Sequence, residues 1–178
     1  MALRDYRYTG FEDENSITEI ILYSLPKVVR ARKERIRYLE THAMGGSPMG
    51  GNEKVQGGDD TPKLQRYLEG KERDRILSWL STIEARVSDK VKHLPPIEKE
   101  FIREYYFSGK VMPMGVVAKK LGIEGRAASS MRVRVIGKLR RSCTSVYHLF
   151  CLWREHDDME MEERRSELEY LLNDKGAA

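Results

Sequence analysis

The stretch from Pro113 to Arg141 constrains this chain most, because two helical patterns follow one another across a single glycine. Val117, Ala118 and Leu121 recur at helical spacing, Gly122 interrupts, and Ala128, Met131, Val135 and Leu139 then hold one stripe. A glycine just past the last apolar position is a helix stop. The pattern predicts a helix-turn-helix in which each helix buries one face. The other face of the second helix collects Arg126, Arg132, Arg134, Lys138, Arg140 and Arg141, with no acidic residue anywhere from 126 to 141. Such a face suits phosphate groups.

Charge is unevenly laid out around this motif. The net charge is +4, yet residues 27–37 hold six basic side chains against one acid, and 154–175 hold nine acids against four Lys and Arg. A basic centre favours nucleic acid, whereas an acidic tail is repelled by it and faces solvent, a partner or a second copy of the chain. With 178 residues the chain is long enough for one domain with a real core, or a small domain with helical extensions. Cys143 and Cys151, eight residues apart on one expected helix, would lie about 12 Å apart, too far for a disulfide, and suit a reducing compartment. The first residues lack the features of a leader, and no window approaches the roughly 18 apolar residues of a membrane span. A cytoplasmic protein with no membrane association is expected.

No segment alternates with period two, so the expected class is all-α. Asn15-Ser16 caps a short helix bearing Ile17, Ile20, Ile21 and Leu25, and Pro26 then opens a second helix to about His42. Val28, Val29, Ile36 and Leu39 give that helix only a narrow apolar stripe. Six glycines and a proline between Gly45 and Thr61 form a flexible loop; they lack the Gly-Lys-Ser or Gly-Lys-Thr of a phosphate cradle. Thr61-Pro62 opens a long helix, softened at Gly70, whose stripe runs through Leu64, Leu68, Ile76, Leu80, Ile83, Val87, Val91 and Leu94, with Trp79 extending it. After Pro95-Pro96 a helix from Ile97 to Phe107 carries Ile97, Phe101, Ile102, Tyr105 and Tyr106, which plug the core. Beyond Ser142 a further helical pattern carries Val146, Leu149, Phe150 and Trp153, then Leu168, Leu171 and Leu172. It folds back on the domain or pairs with a second copy in a homodimer. The chain thus divides into an N-terminal helical segment (1–44), a glycine-rich loop (45–61), a long helix plus helix-turn-helix (62–141) and an acidic C-terminal helix (142–178).

Catalytic patterns are missing. His42, His93, His148 and His156 lie on separate segments, and no Ser/His/Asp, Cys/His or paired-carboxylate set emerges, so an enzyme is not expected. Cys143, His148, Cys151 and His156 invite a zinc site, but along one helix they point in several directions, and packed cysteines are expected instead. Glu160, Glu162 and Glu163 read as a solvated face. No cofactor is expected.

Double-stranded DNA is the expected partner. The N-terminal part of the second helix of such a motif enters the major groove, which assigns Arg126, Ser129, Ser130, Val133 and Arg134 to base edges. Arg132, Lys138, Arg140 and Arg141, with Lys119 and Lys120 on the first helix, are assigned to phosphates.

Ala118-Lys-Lys-Leu121-Gly122-Ile123 followed by Ala127-Ala128 and Leu139 resembles the promoter-reading region four of bacterial sigma factors. Glu98-Lys-Glu-Phe101-Ile-Arg-Glu-Tyr105-Tyr106-Phe107 looks more specifically like the helix before that turn in the RinA and ArpU group of phage late-transcription regulators. The resemblance spans about residues 61–141 and departs at Ala127, where the sigma recognition helix often has a threonine; Cys143–Ala178 lies outside it. It implies an all-helical phage or prophage protein that activates late genes beside host RNA polymerase, within a bacterial cell. Two other functions fit the same features. One is a lambdoid Q-type antiterminator, with the 27–37 helix and glycine loop touching polymerase; the other is a small terminase-like packaging protein whose long helices build a ring.

Overall fold

The computed structural model describes residues 13–43, 63–109 and 112–175. The glycine-rich loop, the Thr61-Pro62 cap and the side chains of Leu64, Leu168, Leu171 and Leu172 lie outside that description. Among the described residues the chain is all-α, with helices α1 (Glu14–Ala43), α2 (Lys63–Arg73), α3 (Arg75–Lys92), α4 (Pro96–Tyr105), α5 (Met114–Leu121), α6 (Gly125–Thr144) and α7 (Tyr147–Lys175).

One contiguous core joins nearly all of them. Ile21, Leu22, Leu25 and Val28 of α1 meet Leu80, Ile83 and Val87 of α3, Phe101 and Ile102 of α4, Val117 and Ala118 of α5, and Ala128, Met131, Val135 and Leu139 of α6. Val146, Phe150 and Trp153 close it from the start of the tail, so that part of the tail folds back on the domain. Full burial of each large aliphatic or aromatic side chain contributes about 1.5–3 kcal/mol. The N-terminal, central and C-terminal segments therefore stand or fall together. Trp79 packs on the edge of this core, as its spacing suggested.

The α1 region differs from expectation. It is one helix with Pro26 inside it, not two helices meeting there. The cap is Asp13, whose carboxylate accepts the backbone N–H of Asn15 at 2.8 Å and of Ser16 at 3.1 Å. Those bonds, the Ser16 N–H first, hold the Asp13 carboxyl below its usual range. Pro26 has no N–H to give the Leu22 carbonyl, a defect worth about 3 kcal/mol in a free helix. Leu22 and Leu25 on one side and Val28 on the other are all buried, and their packing holds the helix through the defect.

The long helix after Pro62 also breaks elsewhere than expected. Its interruption is at Asp74, not Gly70. Asp74 leaves the helical conformation, its Oδ1 accepts the Leu77 N–H at 2.7 Å, and its Oδ2 receives Arg35 of α1 at 2.9 Å. A short carboxylate competes with the helix for a backbone donor, and here an arginine across the interface fixes it in that role. Among the described side chains the buried stripe begins in α3, and Leu68 before the break is 48% exposed. On α4 the buried face starts at Glu98 and Ile97 is 39% exposed, because 98, 101, 102 and 106 share a stripe that 97 does not. The boundary expected at 142 falls inside α6, so Cys143 and Cys151 belong to different helices. Burial pushes the Cys143 thiol up to about 12.

Replacing Pro26 with alanine should restore the hydrogen bond to Leu22 and raise unfolding stability by about 1–3 kcal/mol in urea melts. An unchanged or lowered midpoint would mean that the chain needs a break at that position.

Candidate nucleic-acid interface

Helices α5 and α6 are joined by Gly122, Ile123 and Glu124. Gly122 takes φ +63° and ψ +32°, the left-handed conformation that glycine adopts without a Cβ clash. Its N–H donates to the Lys119 carbonyl at 3.2 Å, and the Ile123 N–H donates to that of Ala118 at 3.0 Å. These two hydrogen bonds close the end of α5 and set the direction in which α6 leaves. Glu124 precedes α6 in an extended conformation with no side-chain cap, so the first amides of α6 are not covered by a side chain.

Helical geometry sorts the α6 residues. At about 100° per residue, Arg126, Ser130, Val133, Gly137 and Arg141 fall on one outward stripe, opposite the buried Ala128, Met131, Val135 and Leu139. All five are exposed, and Val133 is 72% open to solvent despite its apolar side chain. Arg132 and Lys138, six residues apart, lie about 120° from one another and straddle the buried stripe.

Those two flanking cations are turned inward. Arg132 donates from Nε and Nη2 to the two oxygens of Glu19 on α1, at 2.6 and 2.7 Å. The same carboxylate accepts the Tyr106 hydroxyl at 3.2 Å. Burial raises the Tyr106 phenol well above its ordinary value and keeps it a donor. Tyr106 in turn sits edge-on to Tyr23 and Tyr105, with ring centroids 4.7 and 4.8 Å away, so the aromatic face of α4 packs inward as its sequence suggested. On the other flank Lys138 donates to both oxygens of Glu98, at 2.7 and 2.8 Å. Glu98 is only 1% exposed.

The remaining assigned cations divide into tethered and free. Lys120 is bound to Glu104 of α4 at 2.7 Å, and this hydrogen bond holds the Glu104 carboxyl below its ordinary 4.5. That link stabilises the fold above pH 4.5 and is lost as the pH falls through the lower native value. Arg140 lies 3.3 Å from Glu14, with both side chains about half exposed or more. Arg134 approaches Glu98 only to 3.9 Å and is 61% exposed. Lys119, Arg126 and Arg141 are exposed and pair with no carboxylate among the described residues. Ser129 donates its hydroxyl back to the Gly125 carbonyl at 3.1 Å and keeps its lone pairs for a donor. Ser130 faces outward beside Arg126.

Sequence reasoning missed the acids that do this sorting: Glu14, Glu19, Glu98 and Glu104. A signal existed for Glu98, which is three and four residues before Phe101 and Ile102 and so shares their buried stripe. No comparable signal marks Glu19, which meets Arg132 only through the tertiary fold. Elsewhere, Cys143 is buried on α6 and His148 is exposed on α7, and no group of three His, Cys, Asp or Glu among the described residues is placed to hold a metal ion. No helix among them is long and apolar enough to cross a membrane.

Lys138→Met should strand the buried Glu98 carboxylate and cost roughly 2–4 kcal/mol of stability, whereas Glu98→Leu with Lys138→Met should recover most of that loss. Additive losses in thermal melts of the single and double variants would show that the pair is not coupled. No protein-family model, curated protein or solved structure matches the chain.

Proposed function

We propose that this protein is a sequence-specific DNA-binding regulator, with α5 and α6 as a sigma-like helix-turn-helix and α6 as its recognition helix. One observation carries the reading. The outward stripe of α6 presents Arg126, Ser130, Val133, Gly137 and Arg141 without a carboxylate partner among the described residues, while carboxylates of α1 and α4 hold Arg132, Lys138 and Lys120. With the flanking cations neutralised by their own protein, the central strip is the part of α6 left to meet a polyanion.

The chemistry of the strip suits a major groove. Arg126 can pair bidentately with guanine, Ser130 can bond several bases, and an exposed valine offers apolar contact to a thymine methyl. Arg134 and Ser129 border the strip and extend it. Lys119, Arg140 and Arg141 are exposed cations for phosphates, and the uncapped start of α6 adds backbone donors there. Gly137 leaves a gap on the outward face, and a Cβ placed on it would meet nothing within 4 Å of its own protein. Close approach by a partner is the use such a gap serves.

The likeness of 61–141, and of Glu98–Phe107 in particular, to phage late regulators supports the specific role: activation of late genes together with host RNA polymerase in the bacterial cell. The decisive experiment is transcription in vitro with host polymerase on a late-promoter template carrying a downstream terminator. A rise in initiated transcript at a fixed readthrough fraction supports activation. A rise in readthrough alone makes the protein an antiterminator, and ring formation on DNA without either effect makes it a packaging protein.

Arg126→Ala should weaken binding to the selected duplex by about 1–3 kcal/mol and relax the preference at one base pair, whereas Arg141→Ala should weaken all duplexes alike. Equal losses on every sequence from both changes would remove Arg126 from base readout. Gly137→Leu should leave the fold at least as stable, since leucine is the better helix former by nearly 1 kcal/mol, yet abolish tight binding. Retained affinity in an anisotropy titration would take the outward stripe out of the interface.

A further inference from the structure

We infer that a groove between α3 and the C-terminal part of α6 is a second phosphate-binding surface, one that takes the duplex backbone where it runs on from the recognition helix. This rests on the DNA-binding reading of α6 above. The groove has a volume of about 630 Å³ and is lined by Ser81, Thr82, Arg86, Asp89 and Lys90 of α3 and Ser142 of α6.

Its chemistry is that of an anion path. Thr82, Arg86 and Lys90 are spaced i, i+4, i+8 and share one stripe of α3. Arg86 and Lys90 are exposed and have no carboxylate partner among the described residues. Among the described residues the hydroxyls of Ser81 and Ser142 make no hydrogen bond, which leaves both to donate; Thr82 donates to the Ser78 carbonyl at 2.9 Å. Asp89 is the one acid among the lining residues. Its side chain is 64% exposed and lies 3.9 Å from the His93 ring.

The groove is also continuous with the α6 interface. Arg134 and Arg141, seven residues apart on one face of α6, flank the Glu98-bound Lys138, and Ser142 at the groove mouth follows Arg141 directly in the chain. The other flank of α6 offers no such route. There a groove of about 630 Å³ between α1, α5 and α6 is lined by Asp13 and Glu19, and its cations Arg132 and Arg140 are matched by Glu19 and Glu14. A phosphodiester backbone leaving the recognition helix thus meets unpaired cations and hydroxyls on the α3 side and carboxylates on the α1 side.

The test uses the full chain and two fluorescent duplexes bearing its selected site, one trimmed to the site and one extended on both sides. Arg86→Gln with Lys90→Gln should lower affinity for the extended duplex and flatten its dependence of log K on log salt by about two, one per lost phosphate contact. Affinity for the trimmed duplex and base preference should stay unchanged, and Arg86→Lys with Lys90→Arg should keep the wild-type slope. If the wild type binds and Arg126→Ala weakens it, but the glutamine pair keeps the wild-type slope on the extended duplex, the groove is not a phosphate site and α6 still is. If the wild type binds no duplex, or Arg126→Ala binds as the wild type does, the DNA-binding reading itself fails and the groove goes with it.

Discussion

The inner stripe of α6 is the constraint on which the rest of the structure depends. Ala128, Met131, Val135 and Leu139 must be buried by α1, α3, α4 and α5 at once, although the same helix carries six Lys and Arg side chains between 126 and 141. An apolar stripe that narrow cannot be covered by neighbouring helices without drawing the cations beside it toward low dielectric, where an unpaired charge is costly. The fold resolves this by placing a carboxylate on each flank, Glu19 from α1 and Glu98 from α4. Glu19 does more than neutralise. By taking Arg132 and the Tyr106 hydroxyl together it ties α1, α4 and α6 at one point, so the pose of α6 is fixed by polar geometry as well as by packing.

A consequence is that counting basic residues on α6 overstates the charge it offers. Arg132, Lys138 and, more loosely, Arg140 are already balanced, which leaves a narrower positive strip and a lopsided field. One side of the helix borders acids from the start of α1, and the other borders cations of α3. For a polyanion, affinity depends on the number of cations still able to release counterions, not on the number written in the sequence.

Much of this was legible beforehand, and the limits are instructive. The all-α class, the glycine-terminated α5, the stripes of α3 and α6 and the inward aromatics of α4 followed from local spacing, because each is a one-helix property. The break at Asp74 was missed because its cap is held by Arg35, far away in sequence, while Gly70 offered a stronger local signal. Pro26 was read as a boundary for the same reason: local rules charge the full cost of an interior proline and cannot see Leu22, Leu25 and Val28 packing across it. In the candidate interface, sequence named the cations and helical phase sorted the stripe, but pairing with Glu14, Glu19 and Glu104 is a tertiary fact with no periodic signature.

The last helix has a mechanical consequence. It is attached through Phe150, Trp153 and the Lys27–Asp157 ion pair, and beyond Asp157 its described side chains are mostly open to solvent, Met159 and Met161 among them. The 18 residues from there to Lys175 make a helical rod about 27 Å long. That exceeds the Debye length of about 8 Å at physiological salt more than threefold. Yet Asp158, Glu160, Glu162 and Glu163 fall in the first six of those residues, about 9 Å of helix, whereas 164–175 balances three acids against three Lys and Arg. The arm's negative field therefore stays with its base, about one Debye length from the attachment, and whatever nears the far end meets a rod of no net charge.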